Sequence, residues 1–403
     1  MRTIRHYLFM LLVLTAGASA CSGGDSGNGV LDRPQQVAVD SDNGRLVVVD
    51  ADVPVLTVVD TATGDVVGEQ PVISETDNDS LLPSLTASPL DLVAIASPEL
   101  ATTTRLFILG ALEDTTSGAL VSNRVSVFDY DGTTIALSAF SPIAVSDGDD
   151  GTDDAALVLS SLAVDRDSDR LFVLDKTAAL LHMYSTVDGT EDDDSPIVLA
   201  GIPSDMALDL DLRRLFIANV SADNQVITVV NLDDLADVTA IPLDLDLRDI
   251  GVATSAAGTA LAGSVDDEAR LVVYAIDTDT FLTATEIGSI TASTETTDTD
   301  DDESEETLIT GSLAQVELVR TADDALFFYA SQSDGNLLAG SVSSDFSAVT
   351  SFALETNNPL QDGIAVLRDP DSNAATAVYV ASSSGGLVIA TDVGDEENFS
   401  RIH

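Results

Sequence analysis

The 403-residue chain has one cysteine, one lysine, three histidines and no tryptophan. Each scarcity removes a class of function. A lone cysteine makes no internal disulfide, so no cross-link staples the fold. Lys and Arg total 16 against 69 Asp and Glu, for a formal charge of −53. No basic stripe exists that would displace phosphate counterions, and nucleic acid is excluded as a partner. Among the histidines, His6 falls in a leader and His403 is terminal, leaving His182 in an apolar run that suits packing better than general-base work. The chain contains no G-x-S-x-G elbow, no phosphate-binding loop and no Cys/His set for zinc.

What remains is an acidic chain that nevertheless folds. Hydrophobic residues make up 45%, whereas disordered acidic chains lack apolar residues. Abundant Asp with almost no Lys points to a surface adapted to high or marine salt, where counterions screen self-repulsion. The N-terminus reads as a targeting segment. Arg2 and Arg5 precede an apolar stretch from Tyr7 to Thr15 that is too short to span a bilayer, followed by small residues up to Ala20. Ala18-Ser19-Ala20-Cys21 resembles the bacterial lipobox, which implies a signal peptide over 1–20, lipidation of Cys21 and a membrane anchor. The segment 21–32 has the composition of a flexible tether. Ser22 after the cysteine favours the outer membrane.

From residue 33 onward a phrase recurs: QQVAVDSDNGRLVVVD (Gln35 to Asp50), SSLAVDRDSDRLFVLD (Ser160 to Asp175) and SDMALDLDLRRLFIAN (Ser204 to Asn219). Each copy is one supersecondary unit that buries its apolar face only against its neighbours. Apolar second strands begin at Leu46, Leu106, Leu171, Leu215, Ala260, Leu326 and Ala377, and seven third strands keep step with them. Short strands rich in Val, Leu, Ile and Thr, split by Gly, Asp, Asn and Ser turns, describe four-stranded antiparallel sheets. Nearly continuous apolar second strands and the absence of capping repeats favour a closed ring. The expected fold is an all-β β-propeller spanning 33–403 as one monomeric domain, with seven four-stranded blades. Irregular second and sixth units leave six or eight open.

Ile202 to Leu243 (IPSDMALDLDLRRLFIANVSADNQVITVVNLDDLADVTAIPL) and Val58 to Val67 (VVDTATGDVV) resemble the YVTN-type repeats of seven-bladed propellers. The resemblance covers the chain from about Arg33 onward with gaps. It implies the fold, and leaves function open among surface proteins, lactonases, binding modules and scaffolds.

Four insertions break the rhythm: Ser74 to Ser80, Glu113 to Ser122, Ser146 to Ala156 and Ser293 to Thr307. Loops of this kind carry partner contacts. The D-x-D pairs beginning at Asp40, Asp165, Asp209 and Asp369 look like calcium loops, but counting from Asp165 places Arg170 and Lys176 where an EF-hand needs Gly and Glu. Their fixed place between first and second strands marks them as turn formers. No repeat demands Asp147, Asp149, Asp150, Asp153 and Asp154, which form a candidate Ca²⁺ site. Absence of tryptophan excludes the docking pattern of quinoprotein blades.

Asp205, Arg248, Asp249, Glu317 and Asp362 sit on or beside first strands and are candidates to line the central funnel. Two functions follow. One is an envelope protein that binds a protein or glycan partner, or acts as a scaffold. The other is a lactonase-like propeller hydrolase using funnel carboxylates and a divalent metal.

Overall fold

Each recurring phrase folds into one antiparallel sheet in which chain order is sheet order. The computed structural model describes residues 34–402 apart from 51–54, 72–84, 101, 115–119, 146–156, 220–224, 266–267, 292–308, 310–311, 334–335, 356–359, 383–386, 391–392 and 394–398. Within these limits the strands make seven four-stranded sheets. Cys21 with its leader, and Asp147, Asp149, Asp150, Asp153 and Asp154, lie outside the described residues.

The innermost strands of blades one to seven are Pro34–Asp40, Leu85–Ala96, Leu159–Asp165, Pro203–Asp209, Leu247–Ser255, Leu313–Arg320 and Leu360–Arg368. Second strands follow at Arg45–Asp50, Thr104–Asp114, Arg170–Asp175, Arg214–Asn219, Gly258–Val265, Leu326–Gln332 and Ala375–Ser382. They are buried almost throughout because adjacent blades cover both faces. Outer strands range from two residues, Ile197–Val198 in blade three, to nine, the largely exposed Asp234–Pro242 in blade four. In blade two the segment expected as an insertion at Glu113 to Ser122 is partly strand: the second and third strands run on to Asp114 and from Leu120, each eleven residues long.

An apolar cluster fills each of the seven seams. Between blades four and five, for instance, Phe216, Ile227 and Val229 pack on Ile250, Leu261 and Tyr274. Each such fully buried side chain contributes roughly 1.5–3 kcal/mol. Blade seven seals to blade one through Tyr379, Ala365, Ala377 and Ala381 against Val37, Leu46, Val48 and Val59. The Arg368 backbone N–H also donates to Ser41 Oγ at 3.0 Å. Thus the ring closes without a blade shared between the two ends of the chain, and the fold is an all-β propeller.

The repeated polar residues have two duties. Asp40, Asp165 and Asp209 accept turn N–H groups from Asn43, Asp167 and Leu212 at 3.0–3.2 Å, as turn formers do. The same turns carry a left-handed residue at Gly44, Asp169 and Arg213. Each of these aspartates also reaches the next blade, accepting from Thr104 Oγ1 at 2.6 Å, Arg213 Nη1 at 2.7 Å and Thr254 Oγ1 at 2.6 Å. Arginines opening second strands pair with the third strand or the segment after it. Arg105 forks onto Asp129 at 2.7 and 3.2 Å, and Arg170 reaches Asp192 at 3.0 Å.

Candidate functional site

An innermost strand has no neighbour on its channel side, so its backbone groups there need other partners. A local register shift in the first strands of blades one, two, four and five skips Gln35, Leu90, Ser204 and Arg248, and the next residue reaches across the seam. Register with the second strands places Gln36, Asp91, Ser161, Asp205, Asp249, Gln315 and Gly363 at one level of the ring. Asp91 Oδ2 accepts from the Leu162 N–H at 2.6 Å, Asp205 from Ile250 at 3.0 Å, and Asp249 from Val316 at 2.6 Å. Gln315 accepts from Ile364 at 2.5 Å, and Gln36 Nε2 donates to Leu90 O at 3.1 Å. Two of the expected funnel residues, Asp205 and Asp249, are therefore clasps between blades as well as channel lining.

Glu317 is different. Register aligns it with Ala38, Val93, Ala163, Ala207, Gly251 and Ala365, positions where neighbouring first strands approach closely. A Cβ built on Gly251 would meet the Leu318 backbone nitrogen and lie 2.9 Å from Glu317 Cα. A glutamate among such small residues is turned toward the channel, which it lines. No hydrogen bond or ion pair engages its carboxylate among the described residues.

The channel holds a chamber of about 720 Å³ lined by all seven first strands, with Asp91, Asp205, Asp249, Glu317, Lys176, Arg248 and Arg368 among its residues. Arg248 is exposed within it. Asp362 occupies the first strand of blade seven at the level of Arg248. Toward the hairpins joining first to second strands lies a second cavity of about 240 Å³, lined by Asp40, Asp42, Asp209, Asp211, Arg166, Arg320 and Arg368. Val39, Ala94, Val164, Leu208, Val252 and Val366 border both, forming an apolar collar that Arg368 also borders.

Charge is costly in this passage. Desolvation pushes the Asp91 carboxyl up to about 7, against the pull of the Leu162 and Leu92 N–H groups. It also pushes Glu317 up to about 7, with Arg368 opposing and the charges of Asp205 and Asp91 adding to the rise. Asp205 is raised by the same burial, opposed by the Ile250 and Met206 N–H groups. Each keeps some exposed area, so it is the surrounding channel wall that disfavours ionisation. At neutral pH, Asp91 and Glu317 can take up or release protons.

Among the described residues, no three His, Cys, Asp or Glu side chains are grouped to hold a metal ion. His182 is fully buried in blade three, its Nε2 3.9 Å from Asp175 Oδ2, and lines neither cavity. Sequence reasoning missed Asp91, Lys176, Arg166, Arg320 and Arg368. The usable signal was Lys176 as the sole lysine.

No family model and no curated relative matches the chain. Solved structures do. A hydrazine synthase chain of Kuenenia stuttgartiensis superposes with TM-score 0.58 at 12% identity, covering 94% of this chain and 100% of that one. Dihydro-heme d1 dehydrogenase NirN in complex with DHE gives 0.52 at 14%, covering 91% of this chain and 65% of its own. BBS1N in complex with ARL6DN gives 0.51 at 12%, covering 91% and 94%. At such identities the likeness shows the fold alone, and that fold is the β-propeller.

Proposed function

We propose that this chain is a lipid-anchored β-propeller of the bacterial cell envelope, built from YVTN-type repeats, that binds its ligand non-covalently in the axial channel. The supporting observation is the channel's lining. In a chain of net charge −53 with 16 basic residues, the only lysine and two arginines stand in one chamber beside Asp91, Asp205, Asp249 and Glu317. Desolvating such groups costs several kcal/mol per ion where partners are imperfect, and a fold needing only a hydrated plug has cheaper residues to use. Lipidation at Cys21 would tether the propeller, most simply at the outer membrane, in a salty medium. The acidic insertion with Asp147, Asp149, Asp150, Asp153 and Asp154 would add a contact to Ca²⁺ or to a glycan.

The chamber reading is tested by thermal shift with N-acetylglucosamine, maltose, glycine betaine, putrescine and glycylglycine. At least one should raise Tm, and Glu317→Gln should abolish that rise. No shift with any of them, or shifts indifferent to Glu317, would count against it. Replacing Cys21 with Ser should release the protein from membranes; unchanged retention would sink the anchor.

A second reading, a propeller hydrolase, is favoured by one observation: Glu317 is an uncommitted carboxyl held near 7. Hydrolysis of simple lactones, with a pH inflection near 7 that Glu317→Gln removes, would support it.

A further inference from the structure

We infer that the smaller cavity, beyond the apolar collar, is a binding site for a small oxyanion, a carboxylate or a phosphate, held by Arg166 and Arg368. This rests on the reading that the axial passage takes a ligand, and names the chemistry of its narrow end. Three arginines from blades three, six and seven line this one cavity. That is a notable share of 16 basic residues in the whole chain. Burial and the nearby charge of Arg166 disfavour the charge of Arg368, while Glu317, Asp209 and Asp211 favour it.

Most carboxylates sharing the cavity already accept hydrogen bonds from other groups. Asp40 accepts from Thr104 Oγ1 at 2.6 Å and Asn43 Nδ2 at 2.7 Å. Asp209 accepts from Thr254 Oγ1 at 2.6 Å and the Leu212 N–H at 3.0 Å. Asp211 takes Arg320 Nη2 at 3.0 Å, and that nitrogen also donates to Ser372 O at 2.8 Å. Burial raises the carboxyls of Asp40 and Asp209, against the pull of their hydrogen-bond donors.

The unmet hydrogen-bonding capacity is therefore mostly donor. A guanidinium carries five N–H groups. Among the described residues, Arg368 uses one of them, Nη1 to Asn373 O at 3.4 Å, and Arg166 has only Asp42 at 3.8 Å. Two planar forks with free donors match the paired oxygens of a carboxylate or phosphate. The collar of Val39, Ala94, Val164, Leu208, Val252 and Val366 would exclude water from the ligand's inner side and accept an aliphatic portion.

The test uses the full chain at fixed 0.5 M NaCl-equivalent ionic strength, so that screening is constant. Acetate, citrate, inorganic phosphate and sulfate are titrated by calorimetry and thermal shift. A saturable signal with citrate or acetate assigns a carboxylate ligand, and one with phosphate assigns a phosphate. Either supports the site if Arg166→Gln and Arg368→Gln each weaken binding tenfold or more while Arg270→Gln, on an outer pair, leaves it unchanged. Because Arg166 lies at the surface of the mouth, its variant keeps the test decisive should Arg368→Gln fail to fold. No saturable binding by any of the four anions overturns the proposal, as does binding that survives Arg166→Gln. A chamber ligand sensitive to Glu317→Gln but not to Arg166→Gln would leave the functional reading standing and remove this one.

Discussion

Replacing Arg105 with Met should be among the most damaging single changes in the ring. The side chain is 3% exposed, and its guanidinium forks onto Asp129, donates to the Thr186 and Val187 carbonyls of blade three at 2.7 and 3.2 Å, and lies 5.0 Å from the Phe140 ring centroid. It thus adds a charged tie between blades two and three to the apolar packing of that seam. Methionine keeps much of the stem's packing and removes every donor. Stranding one member of a buried pair costs about 3–5 kcal/mol, and Asp129, 19% exposed, recovers part of that from water. Each abandoned carbonyl adds about 1 kcal/mol. A net loss of about 3–4 kcal/mol follows. With an unfolding entropy of about 2.1 cal/mol/K per residue over roughly 370 residues, that corresponds to about 4–5 °C in Tm.

Urea denaturation at 25 °C measures the loss directly, and salt separates the causes. The Debye length is about 3 Å at 1 M salt, enough to erase an exposed pair but not this one. Arg270→Met, which breaks a pair to the exposed Glu286, should stay within about 1 kcal/mol and lose its effect in salt. Arg105→Met with Asp129→Leu should restore most of the stability, because no charge is then stranded. A single-mutant cost below about 1 kcal/mol, or one halved by 1 M salt, would refute the assignment of Arg105 as a buried inter-blade tie.

The axial carboxyls make stability fall as pH rises: Asp91 and Glu317 start near 3.8 and 4.5 unfolded and reach about 7 folded. The folded state therefore holds protons that the unfolded state releases over this window, and the contribution is gone above it. Glu317→Gln should raise Tm at pH 8 and leave it unchanged near pH 4; an equal effect at both would contradict the channel's cost. Asp165 runs the other way. Burial raises it, but Arg213 and Ser168 outweigh burial and hold it low, so Asp165→Asn should cost stability at pH 7 and progressively less below pH 4. Gly251→Ala should destabilise by about 1–3 kcal/mol, since backbone blocks its Cβ; a neutral change would mean the blade five–six seam is looser than described. Transfer from 2 M to 0.1 M NaCl should lower Tm if the −53 charge needs screening, and a flat melting curve series would argue against salt adaptation.

The architecture was legible because its signals are local. Second strands such as Leu215 to Ala218 are apolar runs beside turn residues, and covering both faces of such a strand requires neighbours. The turn role of Asp165 was equally local, since the N–H it accepts belongs to Asp167. Its second role was not readable, because Arg213 lies 48 residues on and meets it only when blades three and four dock. Asp91 stayed hidden for a related reason. It lies in an irregular unit whose long strands obscure the repeat register. Arg368 and Lys176 come from the end of one strand and the turn after another, where nothing in composition signals convergence. Glu317 was legible from its place on a first strand, and aligning the repeats would have set it apart further, because five of the six other residues at its level are alanine or glycine.

The closing seam has a consequence for how the chain is made. Every blade is complete in itself, so strands can pair as they leave the ribosome without waiting for the far end of the polypeptide. Only the last event is long-range, the meeting of the Tyr379 face with the Val48 face. Until then both faces are bare. A chain ending before its seventh blade would leave the apolar faces of blades one and six uncovered at once, so the lesion would open two seams rather than weaken one.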